Sequence, residues 1–177
     1  MLYGNSNLTG VERSFPTSEI IVSKTDLTGK LVYGNNTFYD LAGMTEKECL
    51  NQQHNIVRHP HMPRSVFDLL WETIKGGEEI FSYVVNRSKN GDHYWVFAHV
   101  TPSVNTSGTI IGYHSNRRAP NKTVVNEKIQ PLYKELIALE SNAASPKQGI
   151  LAGRNRIRQI LDETKMDFNE LMFSFGL

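Results

Sequence analysis

The sequence contains a single cysteine, Cys49, in 177 residues. One thiol excludes an internal disulfide and any metal site built from several cysteines. The net charge is also small, because 19 lysines and arginines stand against 18 acidic residues. Such a balance lacks the basic footprint that binding to nucleic acid or to anionic lipid requires. We therefore expect neither as a partner.

Long hydrophobic runs are absent as well. No segment approaches the roughly 18 apolar residues that a membrane-spanning helix needs. The first residues, MLYGNSNLTGVERSF, lack the basic start and apolar core of a secretory signal. Together with the lone cysteine, these absences predict a cytoplasmic protein without direct membrane insertion.

Catalytic and metal-binding motifs are equally scarce. The chain has no nucleophile elbow, phosphate-binding glycine loop, metalloprotease motif or kinase signature. Three of its six histidines lie on the loop 54–61, but without helical i, i+4 spacing or a cysteine partner. We expect neither an enzyme nor a metal site.

The residues that are present predict a mixed fold. Five runs have the composition of strands: 19–25, 30–35, 80–88, 92–103 and 109–115. Asn90-Gly91 reads as a two-residue hairpin turn between the third and fourth runs, because both positions tolerate a positive φ. This order predicts an α+β fold, with an antiparallel sheet of about five strands and short helices on one face.

Three short helices are expected between the second and third strands. Asn35 or Asn36 can cap the first helix, and Gly43 ends it. Thr45 and Glu48 have the spacing of a capping box, so a second helix should begin there. Pro63 suits the first turn of the third helix. The apolar stripe of this helix is Val66, Leu69, Leu70, Thr73 and Ile74.

After Arg118 the pattern becomes helical. One amphipathic helix is indicated by Ile129, Leu132, Tyr133, Leu136 and Ile137, with Pro131 delaying its start. A linker at Ser141–Gly149 precedes a second helix, whose stripe is Ile157, Ile160, Leu161, Thr164, Phe168, Leu171 and Met172. This C-terminal helical pair has too little core of its own. It must pack on the sheet of this chain, on a second copy or on a receptor.

Two motifs carry a family resemblance. The first is HNIVRHPHMPRSVFDLLWETIKGG at 54–77, and the second is VVNRSKNGDHYWVFAHVTP at 84–102. In order and spacing they resemble the PAS domains of bacterial aerotaxis transducers, which hold FAD and read redox state. The resemblance covers roughly residues 18–118. It implies an N-terminal cap at 1–17, a PAS sensor domain at 18–118 and a helical extension at 119–177 for oligomer or partner contacts.

The resemblance also implies a set of cofactor-binding residues. Asn86, in the V-x-N-R motif, would contact the flavin edge that presents N3–H beside the C4 carbonyl, since a carboxamide offers the complementary acceptor and donor. Trp71 would border the ring system. Arg58 and His59 would hold the pyrophosphate or ribitol of FAD. His54 and Asn55 belong to the same run.

One position departs from the family. His61 stands where an aspartate is usual, and a histidine caps a helix poorly. The departure puts the start of the third helix, and with it the cofactor fit, in question.

Two alternatives to flavin remain open on the sequence alone. The first is a PAS sensor of heme b or of another small ligand. Heme could be held through one proximal histidine, for which His114 is the best candidate, although His114 could equally border a flavin. Alternatively, the domain is a cofactor-free interaction module. Each motif residue also has a structural interpretation, as an ordinary strand asparagine, a core tryptophan or a loop that satisfies its own carbonyls.

The fourth strand has two unlike faces. Tyr94, Val96, Ala98 and Val100 form an apolar face that should look into the core, whereas His93, Trp95, Phe97 and His99 form an aromatic, half-polar face. We expect the second face to be covered by the N-terminal segment, the C-terminal helices or a partner.

The resemblance implies a redox or oxygen sensor for energy taxis, whose partner is a membrane chemoreceptor, another signalling protein or a second protomer in a homodimer.

Overall fold

The computed structural model describes residues 7–176. At its centre lies a sheet with the strand order β2-β1-β5-β4-β3, in which all neighbours are antiparallel. The strands are β1 (Ile21–Thr25), β2 (Leu31–Gly34), β3 (Ile80–Arg87), β4 (His93–Val104) and β5 (Ile110–Arg118). The predicted α+β fold and its five antiparallel strands are confirmed.

The helices between β2 and β3 follow their capping signals. They are α1 (Asn36–Ala42), α2 (Glu46–Cys49), a 3-10 turn at His54–Val57 and α3 (Arg64–Lys75). The Asn35 side chain accepts from the backbone N–H of Phe38, and Gly43 ends α1 with a φ of 64°. Thr45 and Glu48 form the expected capping box. Pro63 lies just before α3 rather than inside its first turn.

The turn between β3 and β4 differs in detail from its prediction. Of Asn90 and Gly91, only Gly91 has a positive φ, at 98°. Its N–H bonds to the carbonyl of Ser88 at 3.0 Å, while Ser88 N–H bonds to Asp92 at 2.8 Å. This wider loop needs one left-handed residue instead of two, which is why asparagine stays in an ordinary conformation.

The C-terminal region contains more helices than the predicted pair. It consists of α4 (Lys122–Val124), a π-helical segment (Val125–Ile129), α5 (Gln130–Ser141), α6 (Pro146–Thr164) and α7 (Phe168–Ser174). None of the helices within residues 7–176 combines the length and the apolar character needed to cross a bilayer.

Two expectations for this region were wrong. Helical structure begins at Lys122, ahead of Pro131. Pro131 lacks an N–H and would crowd the carbonyl four residues earlier, and the π-helical turn before it accommodates this. The second helix is interrupted at Lys165, which has a φ of 56°. A new capping box, from Asp167 and Glu170, then begins α7.

The aromatic face of β4 is covered by the C-terminal helices. Phe97 lies 5.5 Å from Phe173 of α7, and Trp95 lies 6.0 Å from Tyr133 of α5, measured between ring centroids. The Tyr133 hydroxyl donates to the backbone carbonyl of Tyr83 on the edge strand β3. Of the three covers considered from the sequence, the C-terminal helices therefore occupy this part of the sheet.

The N-terminal segment covers the start of the same strand. Arg13 N–H donates to the carbonyl of His93 at 2.7 Å, and His93 N–H donates to Val11 at 3.0 Å. Part of the expected N-terminal cap, residues 1–6, lies outside the described residues.

Replacing Tyr133 by phenylalanine tests the docking of α5 on the sheet edge. The substitution removes one of the two hydroxyls that donate to the buried Tyr83 carbonyl and leaves the contact from Ser82 Oγ at 3.2 Å, so we expect the free energy of unfolding to fall by about 0.5–1.5 kcal/mol. Urea titration followed by circular dichroism measures the loss. Tyr33→Phe is the matched control, because Tyr33 is 45% exposed. Equal losses in the two variants would contradict the described docking.

Candidate functional site

A cavity of about 550 Å³ lies between α3 and the sheet. Its walls come from β1, β3, β4, β5, the loop 53–58, helix α3 and Ile150 of α6. Six of the seven residues chosen from the sequence border it: His54, Asn55, Arg58, Trp71, Asn86 and His114. The sequence motifs therefore converge on one site.

Asn86 reaches the cavity through the alternation of β3. Val84 and Asn86 both line the cavity, opposite Val96 and Tyr94 of β4 in the strand register. Asn86 is 4% exposed, and its backbone bridges to Arg58 on the facing loop. The site thus contains a buried carboxamide at the junction of the sheet and the loop.

Trp71 forms an aromatic wall with Tyr113. Their ring centroids lie 5.5 Å apart at an interplanar angle of 87°, an edge-to-face arrangement. Leu70, the preceding residue on α3, is buried in the core as expected. A planar ligand could therefore lie against Trp71 without displacing the core.

Three cationic side chains line the loop and helix side of the cavity: Arg58, Arg64 and Lys75. The Arg58 guanidinium lies 5.3 Å from the ring centroid of Phe67. Burial lowers the pKa of Arg58, and the neighbouring charge of Arg64 lowers it further. This side of the cavity is suited to phosphate oxygens.

Arg117 is the site residue that sequence reasoning missed. Its side chain is 4% exposed and borders the cavity, where its Nη2 donates to Ser23 Oγ at 2.6 Å and to His54 Nε2 at 2.8 Å. Burial lowers its pKa to about 10, so the group remains charged at neutral pH. The strand had been predicted to end at Ser115; extending the alternation Tyr113, Ser115 by one step would have found it.

His54 serves as the neutral partner of this cation. Burial lowers the pKa of His54 to about 3, and the charge of Arg117 acts in the same direction. Its Nε2 contacts Ser23 Oγ at 3.0 Å. His54 therefore accepts a hydrogen bond and brings no charge to the site.

The cavity also presents polar atoms without protein partners. Within residues 7–176, the buried Thr25 Oγ1, Ser115 Oγ and Arg117 Nη1 have no hydrogen-bond partner, and all three residues line the cavity. No acidic side chain in this range forms an ion pair with Arg117. Unpaired buried polar atoms each cost about 1–3 kcal/mol. Their presence around one cavity fits a polar ligand rather than a dry void.

His59 lies away from this lining. Its ring packs 4.9 Å from His61 and 5.6 Å from His93, between centroids. His59 Nδ1 accepts from the backbone N–H of His61 at 3.1 Å, and burial lowers its pKa to about 4. This placement gives no support to direct contact between His59 and a cofactor. Residues 7–176 also contain no group of three or more His, Cys, Asp or Glu side chains placed to hold a metal ion.

His114 borders the cavity from the wrong face for a ligand. Tyr113 and Ser115 are buried on the cavity side, so alternation directs the His114 ring to the opposite face. There it lies across from Lys24, and burial and the Lys24 charge lower its pKa. This orientation gives no support to His114 as the axial ligand of a heme in the cavity.

His61 replaces the aspartate expected to cap α3, and a residue elsewhere in the chain provides the cap instead. Glu140 of α5 accepts from the backbone N–H groups of Arg64 and Ser65 at 2.9 and 2.8 Å. A carboxylate thus caps α3 although position 61 does not provide one.

Residues 31–117 match the model of a family described as PAS fold. The aerotaxis receptor of Escherichia coli (strain K12) is 44% identical over 119 residues, which cover 67% of this chain and 23% of the receptor. The chain contains a PAS domain of the aerotaxis-receptor type. A nitrogen fixation regulatory protein of Klebsiella oxytoca is 24% identical over 101 residues, or 57% of this chain and 20% of the regulator. The chain thus spans about a quarter or less of these curated relatives.

Solved structures share the fold of this PAS domain. The blue-light photoreceptor Aureochrome1 LOV, in its light state, has a TM-score of 0.57 at 17% identity, covering 63% of this chain and 89% of the photoreceptor chain. A PAS domain from Colwellia psychrerythraea has a TM-score of 0.53 at 16% identity, covering 58% and 87% respectively. At these identities the likeness concerns the fold alone.

The neutral state of His54 predicts a pH dependence of stability. Because folding lowers its pKa from 6.5 to about 3, the unfolded chain binds the proton more readily, and stability falls as the pH drops below 6.5. The slope from one such histidine approaches about 1.4 kcal/mol per pH unit. Urea unfolding at several pH values above the carboxylate range measures it. His54→Gln should reduce the slope and leave the part that the buried His59 contributes, whereas Gln52→Asn, at an exposed position without a titratable group, should not change it. An unchanged slope in His54→Gln would show that the ring is protonated in the folded protein.

Proposed function

We propose that this chain is a redox sensor that binds FAD non-covalently in the PAS cavity. The observation that carries the proposal is the shared position of a buried carboxamide, Asn86, and a buried cation without an acidic partner, Arg117, on one cavity. Flavin has a planar ring with a polar edge, and these two groups complement that edge. The family resemblance of the motifs at 54–77 and 84–102 supports the same cofactor.

The dimensions and polarity of the cavity agree with this cofactor. Its volume of about 550 Å³ lies within the range of roughly 300–1,000 Å³ for small-molecule sites. Trp71 would lie beside the ring system, and Asn86 would pair with N3–H and the C4 carbonyl. Arg58, on the facing loop, and Arg64, at the start of α3, would hold the pyrophosphate. An open cavity whose lining includes Asn86 and Arg117 favours a bound ligand with polar groups over a cofactor-free module.

Bound flavin would supply reversible electron transfer, and its N5 accepts a hydrogen bond when oxidised but carries a proton after two-electron reduction. Arg117 favours whichever redox state has more negative charge, because no acidic side chain in residues 7–176 offsets it. His54 keeps the guanidinium in place without adding charge. A proton gained at N5 would alter the hydrogen bonding beside the C4 carbonyl, and Asn86, which would contact that carbonyl, would shift in response.

The sheet offers a short route for this signal. Asn86 lies on β3, whose outer face and edge contact α5 and α7. A reorientation on the cavity side therefore acts on a strand that the C-terminal helices hold. We propose that the output is altered docking to a membrane chemoreceptor, another signalling protein or a second protomer, in a cytoplasmic, non-enzymatic energy-taxis pathway.

The first test is cofactor retention. Purified protein incubated with FAD should show flavin absorption after gel filtration, whereas a Soret band would indicate heme. Asn86→Ala removes the paired donor and acceptor and should weaken FAD binding about tenfold. Trp71→Ala should also reduce retention. Asn116→Ala is the control, because this asparagine is exposed on β5. Full occupancy in both site variants would refute the assignment.

The second test concerns Arg117. Arg117→Met removes the charge and keeps an unbranched side chain, so the midpoint potential of bound FAD should fall, by about 30 mV for each tenfold loss of preference for the two-electron-reduced state. Arg117→Lys retains the charge and should recover most of the potential. Spectroelectrochemical titration measures both variants. A midpoint unchanged in Arg117→Met would mean that the cation does not act on the cofactor.

A further inference from the structure

The N-terminus of helix α3 is capped by Glu140 of α5, 75 residues farther along the chain than Ser65. Pro63 precedes the helix and provides no side-chain cap. Instead, the Glu140 carboxylate accepts from Arg64 N–H at 2.9 Å, from Ser65 N–H at 2.8 Å and from the Ser65 hydroxyl at 2.7 Å. Negative charge at this end of a helix is favoured by the helix dipole. The start of the cavity-lining helix thus depends on α5.

Helix α6 closes over this junction. A Cβ atom at Gly153 would lie 2.4 Å from Ser65 Oγ and 3.3 Å from Glu140 Oε1. A Cβ atom at Gly149, one turn earlier, would lie 2.5 Å from the Glu140 carbonyl oxygen. Both glycines are required by close approach, so α3, α5 and α6 meet at a point without space for a methyl group.

Further contacts tie α6 to the cavity itself. Arg154 bridges Asp68 at 3.1 Å and Glu72 at 2.7 Å, both on α3. Ile150 of α6 lines the cavity together with Trp71 of α3. The C-terminal helices therefore touch both the outer side of α3 and the ligand space.

The opposite wall of the cavity is held as well. The Asn169 side chain of α7 accepts from Phe81 N–H at 2.8 Å and donates to the Glu79 carbonyl at 3.2 Å. Tyr133 of α5 donates to Tyr83 farther along the same edge. Since this edge strand carries Asn86, the C-terminal helices grip the two elements that present Trp71 and Asn86.

We propose that helices α5 to α7 are the built-in readout of the cavity, with Glu140 as the positioning residue that couples them to it. This inference rests on the proposed FAD binding. If the cofactor orders α3 and β3, it also stabilises the docking of α6. By thermodynamic linkage, the factor by which FAD strengthens the docking of α6 is also the factor by which docked α6 strengthens FAD binding. A variant that weakens the docking should therefore bind FAD more weakly.

Hydrogen exchange of the 177-residue chain, with and without FAD, tests the coupling. Added FAD should slow exchange in peptides from α6 (Pro146–Thr164), although most of this helix lies outside the cavity. Glu140→Gln keeps the shape but sets an amide N–H₂ among backbone donors. We expect it to lower FAD affinity about tenfold, within the usual range of coupling energies, and to abolish the change in α6 exchange.

Glu135→Gln is the matched control, because Glu135 lies on the same helix but pairs with Arg156 of α6 at 2.5 Å rather than with α3. It should leave FAD affinity unchanged. If Glu140→Gln fails to fold, Arg154→Gln is the alternative, because it removes the salt bridges from α6 to Asp68 and Glu72 of α3. This variant should show a smaller loss of FAD affinity and a smaller change in α6 exchange.

The outcomes separate this inference from the proposed function. Wild-type protein that binds FAD with no change in α6 exchange would overturn the coupling and leave FAD sensing intact. Normal FAD affinity in a folded Glu140→Gln variant would overturn it equally. Wild-type protein that binds no FAD would refute the proposed function, and the readout of that cofactor with it.

Discussion

The alternation of side chains along β3 and β4 is the constraint on which the other features depend. A strand residue faces one side of the sheet and its neighbour faces the other. Val84 and Asn86 therefore line the cavity, while Phe97 on β4 meets Phe173 of α7. The same strands form a wall of the cavity and the docking surface for the C-terminal helices. The two surfaces are separated by the thickness of one sheet, so the proposed coupling between the cavity and these helices needs no long pathway.

Charge is distributed by a second rule, that a buried ion needs a partner or a ligand. Arg117 has hydroxyl and imidazole partners but no carboxylate among residues 7–176, which leaves its positive charge directed to the cavity. Glu140, in contrast, is fully engaged by the start of α3. Under the proposed function, Arg117 would meet a bound group, whereas Glu140 stabilises the fold at the start of a helix that lines the same cavity.

The PAS domain and its helical extension contribute differently to this arrangement. The family match covers residues 31–117, which contain most of the cavity lining, whereas α5, α6 and α7 lie beyond it. Ile150 nevertheless borders the cavity. The extension therefore forms part of the cavity wall as well as packing on the sheet, so the PAS domain and its helices make one structural unit.

The sequence alone determined the local elements: five strands, the caps at Asn35 and Thr45, and the motif residues that border the cavity, because turns, caps and alternation depend on neighbouring residues. It did not place His59 or the ring of His114, since a shared motif does not state which face a side chain takes. The contacts of Arg117 and Glu140 were decided by tertiary structure alone. Their partners lie 63 and 75 residues away along the chain, and no local pattern brings such distant groups together.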